Sequence, residues 1–522
     1  MTLRDLIAAA GDARLVGEDE VEISALALDS RRVAPGTLYF AVPGLQRDGH
    51  EFAPTAVEAG AAAIVCEREL GLGVPEVVVA SSRDAMAPLA ARFYGEPSRE
   101  LPVVAITGTN GKTTTAWLLR EILAAERGSC GLIGTVKRLV GGVEEEAERT
   151  TPEAIELQGA LRRMIEAGDR ACVIEASSHA LEQRRCEATE FAAAVFTNLT
   201  RDHLDHHGGM EPYFLAKRRL FELAPGAGVV NLDDEYGRRL AEEFPDSLTY
   251  SAASVAGGSG VARDAEEGSA PPAADLRAEE VSFDATGARF VVVEAGGGGA
   301  DDRPASGGGA NQAAGAPERV AVTTALPGAF NVANALAAIA AARRMGVSLA
   351  AAAAALAGAG RVPGRFEPIE AGQDFTVLVD YAHTPDSVAN ALQAARRLTD
   401  GSLITVVGAG GDRDRGKRPE MGLAASAGSD HVVFTSDNPR SEDPAEIVAA
   451  VAAGAEPGGA TVETVVDRRE AISRALKRAG SGDVVVIAGK GHEQGQEFAG
   501  GKRLPFDDRL VAAELLEELA RG

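Results

Sequence analysis

"ITGTNGKTTT", Ile106 to Thr115, lies between the apolar run "PVVA" and the helical pattern "AWLLREILAA". A strand, a glycine turn and a helix in that order surround an anion with consecutive backbone N–H groups and the positive end of the helix dipole. Gly108, Gly111, Lys112 and Thr113 fall in the order of the phosphate-binding pattern G-x-x-x-x-G-K-[ST], but position 106 is Ile instead of Gly, so the loop is a shortened one. Lys112 can neutralise terminal phosphate charge, and the Thr113 hydroxyl can meet magnesium. A turn that only capped a helix would need neither the lysine nor the paired hydroxyls.

The chain of 522 residues is 45% apolar. At roughly 100 to 200 residues per domain it should hold about three. No repeat of 20 to 50 residues is visible, which disfavours a solenoid. A net charge of -25 opposes general binding to nucleic acid or anionic membrane, so a polyanionic ligand needs a local basic pocket. Cys66, Cys130, Cys172 and Cys186 show no C-x-x-C spacing and read as buried thiols of a reducing cytosol. The start "MTLRDLIAAAGDARLVG" lacks the apolar run of a signal peptide, and nothing later approaches a membrane span. The expectation is a soluble cytoplasmic monomer with small-molecule substrates, no nucleic-acid partner and no membrane insertion.

Punctuation divides the chain. Residues 1–100 mix short strands such as "TLYFAVPG" and "AAAIVCE" with helix, and end in a Gly/Pro/Ser linker, "FYGEPSRELP". From 101 to 361 strands alternate with helices, which implies a mostly parallel sheet. Two tracts of small and polar residues, about 252–275 and 296–318, interrupt it; they hold too little apolar surface to pack and read as flexible inserts around the strands "RAEEVSF" and "ARFVVVEA". The Ala-rich run near 349–358 reads as a helix closing this part. A third α/β series fills 362–522, with "FTVLVDYAH", "SLITVVGAGG", "HVVFTSD" and "DVVVIAGKGHE".

In "VIEASSHA", Glu175 emerges at the carboxyl end of an apolar strand, the ligand edge of an open parallel sheet, where a carboxylate suits magnesium. "TNLTRDHLDHHGGMEPYFLAKRRLF" gathers Asp202, His203, Asp205, His206, His207 and Lys217 near another strand end. Its histidines admit a zinc reading, but the metalloprotease spacing with a carboxylate is missing.

Taken together, "TGTNGKTTT", "EASSHAL", "NLTRDHLDHHG" and "YFLAKRRLF" resemble the Mur ligases, ATP-dependent amide-forming enzymes of peptidoglycan synthesis related to folylpolyglutamate synthetases. The resemblance implies three α/β domains: an N-terminal UDP-substrate domain, a central P-loop-type ATPase domain and a C-terminal Rossmann-like amino-acid domain. It further implies ATP held by Gly108, Thr109, Asn110, Gly111, Lys112, Thr113 and Thr114 and, through "PGAFNVANALAA" and "VDYAHTPDS", by Asn331, Arg365, Asp380 and His383. Magnesium would be held by Thr113, Glu175, His203 and a carbamylated Lys217, and the catalytic group would be Lys112, Glu175, His203 and Lys217. The UDP-N-acetylmuramoyl-dipeptide would meet Leu28, Ser30, Thr150, Thr151, Ser177, Gln183 and Arg185; Arg149 stands where Asn is expected before the paired threonines.

"TSDNPRSEDP" resembles the DNPR signature of those family members that add meso-diaminopimelate to UDP-N-acetylmuramoyl-L-alanyl-D-glutamate. Diaminopimelate differs from lysine by a second carboxylate, which a guanidinium can take through paired charge-assisted bonds. With "GGDRDRGKRP" and "AGKGHE", the implied contacts are Arg413, Asp437, Asn438, Pro439, Arg440, Gly489 and Glu493. The expected reaction activates the D-glutamyl carboxylate as an acyl phosphate. Rival readings are a lysine-adding ligase, a folylpolyglutamate synthetase, and a nucleotide-dependent scaffold that has lost catalysis.

Overall fold

The structure, a computed structural model, describes residues 1–44, 47–147, 149–253, 273–296 and 316–521. It is α/β throughout. Near the N-terminus a five-stranded sheet runs in the order Arg14–Val16, Glu76–Val78, Ala61–Cys66, Thr37–Phe40, Ala25–Ala27, with only the first pair antiparallel. Its central strands Thr37–Phe40 and Ala61–Cys66 are short apolar runs because both faces are covered, so alternation is lost there. Leu38, Phe40, Ala63, Val65 and Val77 pack with Met86, Leu89 and Ala90 of the helix Ser82–Phe93, and with Ala154 and Ile155. The connection read as a linker contains a helical turn, Pro97–Glu100, with Pro97 at its first position and Glu96 left-handed at φ 53 before it. Proline's fixed φ suits that position, and Leu101 is buried beyond it.

The strands Val103–Thr107, Cys172–Glu175 and Gly131–Ile133 are parallel neighbours, and their register sets Glu175 opposite Ile106. The phosphate-loop strand and the strand ending in Glu175 therefore finish side by side. Further along the chain Gly228–Asn231, Leu248–Ser251 and Leu276–Asp284 are parallel, then Gly287–Glu294 and Glu318–Thr324 complete an antiparallel meander. The inserts expected at about 252–275 and 296–318 lie almost entirely outside the described residues. Leu349–Gly358 is the helix expected from the alanines, capped by Ser348, whose hydroxyl accepts the Ala351 N–H.

The last sheet runs Glu367–Pro368, Thr376–Asp380, Val484–Ala488, Leu403–Val407, His431–Phe434, Thr461–Thr464, parallel after its first pair. Helices cover both faces, giving one apolar core on each. The segments holding Asp380, Arg413, Asp437 and Gly489 all leave carboxyl ends of these neighbouring strands. By internal contacts the chain forms two compact units: Met1–Thr107 with Arg127–Ala194 and Ala216–Pro225, and Gly108–Glu126 with Val195–Leu215 and Gly226–Gly522. All four cysteines are free thiols and buried. Among the described residues no helix is long and apolar enough to cross a membrane.

Candidate active site

The phosphate loop is built by close approach. Gly108 has φ +148, and a Cβ there would stand 1.9 Å from Thr197 Oγ1; at Gly111 (φ +85) one would stand 2.3 Å from Asn334 Oδ1. Neither position accepts a side chain. Thr109 N–H donates to the Asn198 carbonyl at 2.8 Å, and Asn110 N–H donates to Asn198 Oδ1 at 2.9 Å. Thr197 Oγ1 and Asn198 Nδ2 both donate to the Asn110 carbonyl, at 2.6 and 3.1 Å. The loop shape is thereby held from the segment after the strand Phe191–Phe196. Lys112 Nζ donates to the carbonyls of Gly108 and Thr109 at 2.9 and 2.8 Å, which curls it over the loop at the start of the helix Lys112–Arg127.

Other expected nucleotide residues gather in the same unit. Arg365 donates from Nη2 to Thr113 Oγ1 at 2.9 Å and lies over the Tyr381 ring at 4.5 Å. The Asp380 carboxylate accepts the N–H groups of Phe366 (2.7 Å) and Ala382 (2.8 Å), so it shapes the backbone around Arg365. Burial pushes its carboxyl up, against the Arg365 charge and those two bonds. Asn331 donates to the Pro327 carbonyl at 2.8 Å and accepts from Asn334 at 3.2 Å. His383 Nδ1 donates to the Tyr381 carbonyl at 2.8 Å, which leaves Nε2 facing Asp202 at 3.7 Å.

Asp202 is a junction that sequence reading left without a role. His203 Nε2 lies 3.3 Å from its carboxylate, and the buried Lys417 donates to it at 3.0 Å. Burial would raise the Asp202 carboxyl, but the positive charges of Lys417, His203 and His383 around it outweigh burial and hold it well below the usual carboxylate range. His203 takes left-handed backbone, φ 54, at the start of the short helix Leu204–His207. His207 stacks on Tyr213 at 4.9 Å.

In the first unit Glu175 is 1% exposed; its two oxygens accept Thr135 N–H at 2.8 Å and Thr135 Oγ1 at 3.0 Å. Thr135 Oγ1 lies 3.1 Å from Thr150 Oγ1. Thr151 donates to the Glu175 carbonyl at 2.7 Å and accepts Ser177 N–H at 3.0 Å, while Arg185 reaches the Thr151 carbonyl at 3.0 Å and Gln183 Oε1 at 2.5 Å. Thr150, Thr151, Glu175, Ser177, Gln183 and Arg185 thus form one connected network. Glu153, missed from sequence although it stands beside the paired threonines, receives Arg83 (3.0 Å), Arg149 (3.2 Å) and Arg185 (3.2 Å). The unexpected Arg149 is therefore tied into this network through Glu153. Ser30 begins the helical turn Ser30–Arg32, which Asp29 caps, and Leu28 packs at the edge of the N-terminal core. Lys217, on the helix Met210–Glu222, is 1% exposed.

At the carboxyl edge of the last sheet, Gly411 N–H donates to the Asn438 carbonyl at 2.8 Å. A Cβ on Gly411 would stand 1.9 Å from the Pro439 carbonyl, and one on Gly410 would stand 3.1 Å from Arg440 Nη1 and 3.9 Å from Arg413 Cγ. The two loops and their arginines are thus adjacent. Arg440, left-handed at φ 51, donates from Nε to Glu497 Oε2 and from Nη1 to the Gly411 carbonyl, both at 2.8 Å. Asn438 Nδ2 donates to Glu493 Oε2 at 2.9 Å. Glu442 braces the loops by accepting Asp412 N–H at 2.7 Å and both Nη groups of Arg418. Sequence reading missed Glu442, Lys490 and Glu497, although "AGKGHE" offered Lys490 as a lysine set between glycines.

Thr113 in one unit and Glu175 in the other each offer a hard oxygen donor, the ligand type that magnesium takes. The loop amides can meet an anion, the Glu175 network offers carboxylate and hydroxyl oxygens, and the neighbouring arginines offer guanidinium donors.

Three family models match in succession: "Mur ligase family, catalytic domain" over residues 22–94, "Mur ligase middle domain" over 106–342, and "Mur ligase, glutamate ligase domain" over 364–491. The UDP-N-acetylmuramoyl-L-alanyl-D-glutamate–2,6-diaminopimelate ligase of Geobacillus thermodenitrificans is 44% identical over 508 residues, 95% of each chain. The ligase of the same description from Streptomyces coelicolor is 44% identical over 512 residues, 96% of this chain and 94% of that one. A solved structure of a UDP-N-acetylmuramoyl-L-alanyl-D-glutamate–2,6-diaminopimelate ligase superposes with a TM-score of 0.64 at 32% identity, covering 100% of this chain and 99% of that one. Because three Mur ligase models match in succession along the chain and relatives of 44% identity cover nearly its full length, the chain belongs to the Mur ligase family.

Proposed function

We propose that this chain joins meso-2,6-diaminopimelate to UDP-N-acetylmuramoyl-L-alanyl-D-glutamate in an ATP-dependent step of peptidoglycan synthesis. The observation that carries the reading is 44% identity over 95% of the chain to ligases of that description, too long a match to reflect one shared domain. Its domains are read as 1–100, 101–361 and 362–522, and the protein as a cytoplasmic monomer.

A carboxylate is a poor electrophile. Transfer of the γ-phosphoryl group from ATP to the D-glutamyl carboxylate gives ADP and an acyl phosphate, whose phosphate is a good leaving group. The amine of diaminopimelate then attacks the acyl carbon, and the tetrahedral intermediate expels phosphate while the nitrogen loses a proton to solvent. The work of the residues is positioning and charge neutralisation. The loop amides from Gly108 to Thr114 and Lys112 hold the phosphates. Asn331, Arg365, Asp380 and His383 serve the nucleotide. Magnesium, when bound, neutralises phosphate charge, and Thr113, Glu175, His203 and a carbamylated Lys217 are the residues to hold it. Lys217 is buried, and its amine nitrogen, once deprotonated, would add carbon dioxide and lose a further proton to give the carbamate, an anionic oxygen donor. Leu28, Ser30, Thr150, Thr151, Ser177, Gln183 and Arg185 take the UDP-dipeptide. Arg413, Asp437, Asn438, Pro439, Arg440, Gly489 and Glu493 take diaminopimelate.

Phosphate release with ATP, UDP-dipeptide and either meso-diaminopimelate or L-lysine tests this. Release should require all three substrates and favour diaminopimelate strongly. Equal use of lysine, or folate serving as acceptor, would overturn it.

A further inference from the structure

Lys490 has no exposed surface. It follows Gly489, whose φ is +118 and where a Cβ would stand 2.8 Å from Asp437 Oδ2, so glycine alone lets this strand end meet the Asp437–Arg440 loop. Lys490 Nζ donates to Asn438 Oδ1 and to Glu493 Oε2, each at 2.9 Å, and reaches Asp437 Oδ1 at 3.5 Å. Three acceptors match the three N–H donors of an ammonium. A buried cation persists only when it is so paired, and its removal leaves its partners unpaired in turn.

The partners are themselves fixed. Asn438 Oδ1 also accepts Glu497 N–H at 3.0 Å, and two donors on that oxygen oblige the amide nitrogen to face Glu493 Oε2, at 2.9 Å. One N–H of that nitrogen remains for a ligand. Glu493 Oε2 takes both bonds, from Lys490 and Asn438, while among the described residues Oε1 meets only the Tyr381 hydroxyl, at 3.4 Å. Lys490 thereby holds a donor and an acceptor side by side. Such a pair complements the carboxylate and ammonium of an amino-acid head group.

We propose that Lys490 is a positioning residue that fixes Asn438 and Glu493 for recognition of the incoming amino acid, without touching it. The inference rests on the amino-acid-adding function proposed above. Lys490→Met keeps much of the shape and removes the charge and donors. Misplacing Asn438 and Glu493 removes contacts that diaminopimelate makes in the ground and transition states alike, so KM for diaminopimelate should rise at least about tenfold with kcat little changed. The kcat at saturating diaminopimelate and the KM values for ATP and UDP-dipeptide should stay within about threefold. A merely structural lysine would lower the active fraction, and so kcat, with KM for diaminopimelate unmoved; that result overturns the proposal. If the methionine variant does not fold, Lys490→Gln, which retains N–H donors without charge, is subject to the same division between KM and kcat. A wild-type protein that fails to use diaminopimelate refutes the function reading, whereas active wild type with an unaffected variant refutes only the role of Lys490.

Discussion

Arg440→Ala separates specificity from stability. In the free protein its guanidinium is 24% exposed, donates to Glu497, itself 49% exposed, and to the Gly411 carbonyl. A half-exposed ion pair of this kind contributes about 0–1 kcal/mol. The left-handed backbone at Arg440 is held by its own N–H to the Glu497 carbonyl at 3.0 Å, which alanine retains. Melting should therefore shift by no more than about 4 °C. Among the described residues two of its five guanidinium N–H groups are used, leaving three for a substrate carboxylate. Losing a charge-assisted contact to a carboxylate that stays in the site costs about 2–5 kcal/mol. The adjacent Glu497 charge and the partial exposure favour the lower half, about 2–3 kcal/mol, or roughly 30- to 160-fold in kcat/KM for diaminopimelate. L-Lysine lacks that carboxylate and should lose less than about threefold. Arg440→Lys should also be poor, because an ammonium lacks the planar fork. Steady-state phosphate release with each amino acid measures this directly. A fall below fivefold for diaminopimelate, or an equal fall for lysine, would show that the loop is a structural turn and that specificity resides elsewhere.

Gly108→Ala should weaken ATP use by at least about tenfold, equivalent to ~1.4 kcal/mol, because its Cβ would meet Thr197 Oγ1 at 1.9 Å; added Thr197→Ala should restore part of it, and full activity in the single variant would contradict the packing. The thiols should resist Ellman's reagent at pH 8 until the chain unfolds, since all are buried and burial pushes Cys66 up to about 11 and Cys186 up to about 12; rapid labelling of native protein would be the contrary result. Asp48 accepts His50 N–H at 3.0 Å and His50 Nδ1–H at 2.6 Å, and these bonds lower its carboxyl to about 2. A depressed folded pKa stabilises above the unfolded value near 4 and is lost as pH falls toward 2. Asp48→Ala should accordingly lower the melting temperature at pH 6, with the gap from wild type narrowing toward pH 2; a constant gap would exclude the linkage.

The sequence made the strand ends and loops legible because their signals are local. A glycine turn between an apolar strand and a helix defines its own geometry, and parallel strands deliver their following loops to one edge. Thus Gly108–Thr113, Glu175, Asp380, Asp437 and Gly489 were found where a parallel sheet must put them. Pairing among charges was not legible, because partners lie far apart in the chain: Arg440 and Glu497 are 57 positions apart, and Asp202 and Lys417 are 215 apart. Nothing at Arg149 announces that Glu153 is shared with Arg83 and Arg185. The same limit applies to the glycines. Locally each reads as a turn, yet Gly108, Gly411 and Gly489 are required by atoms of Thr197, Pro439 and Asp437, each brought in from another strand end. Where a site is assembled from loops of adjacent parallel strands, glycines set how closely the loops approach and buried ions such as Lys490 set what they present. The composition of each loop can therefore identify the chemistry while the selectivity depends on contacts between loops.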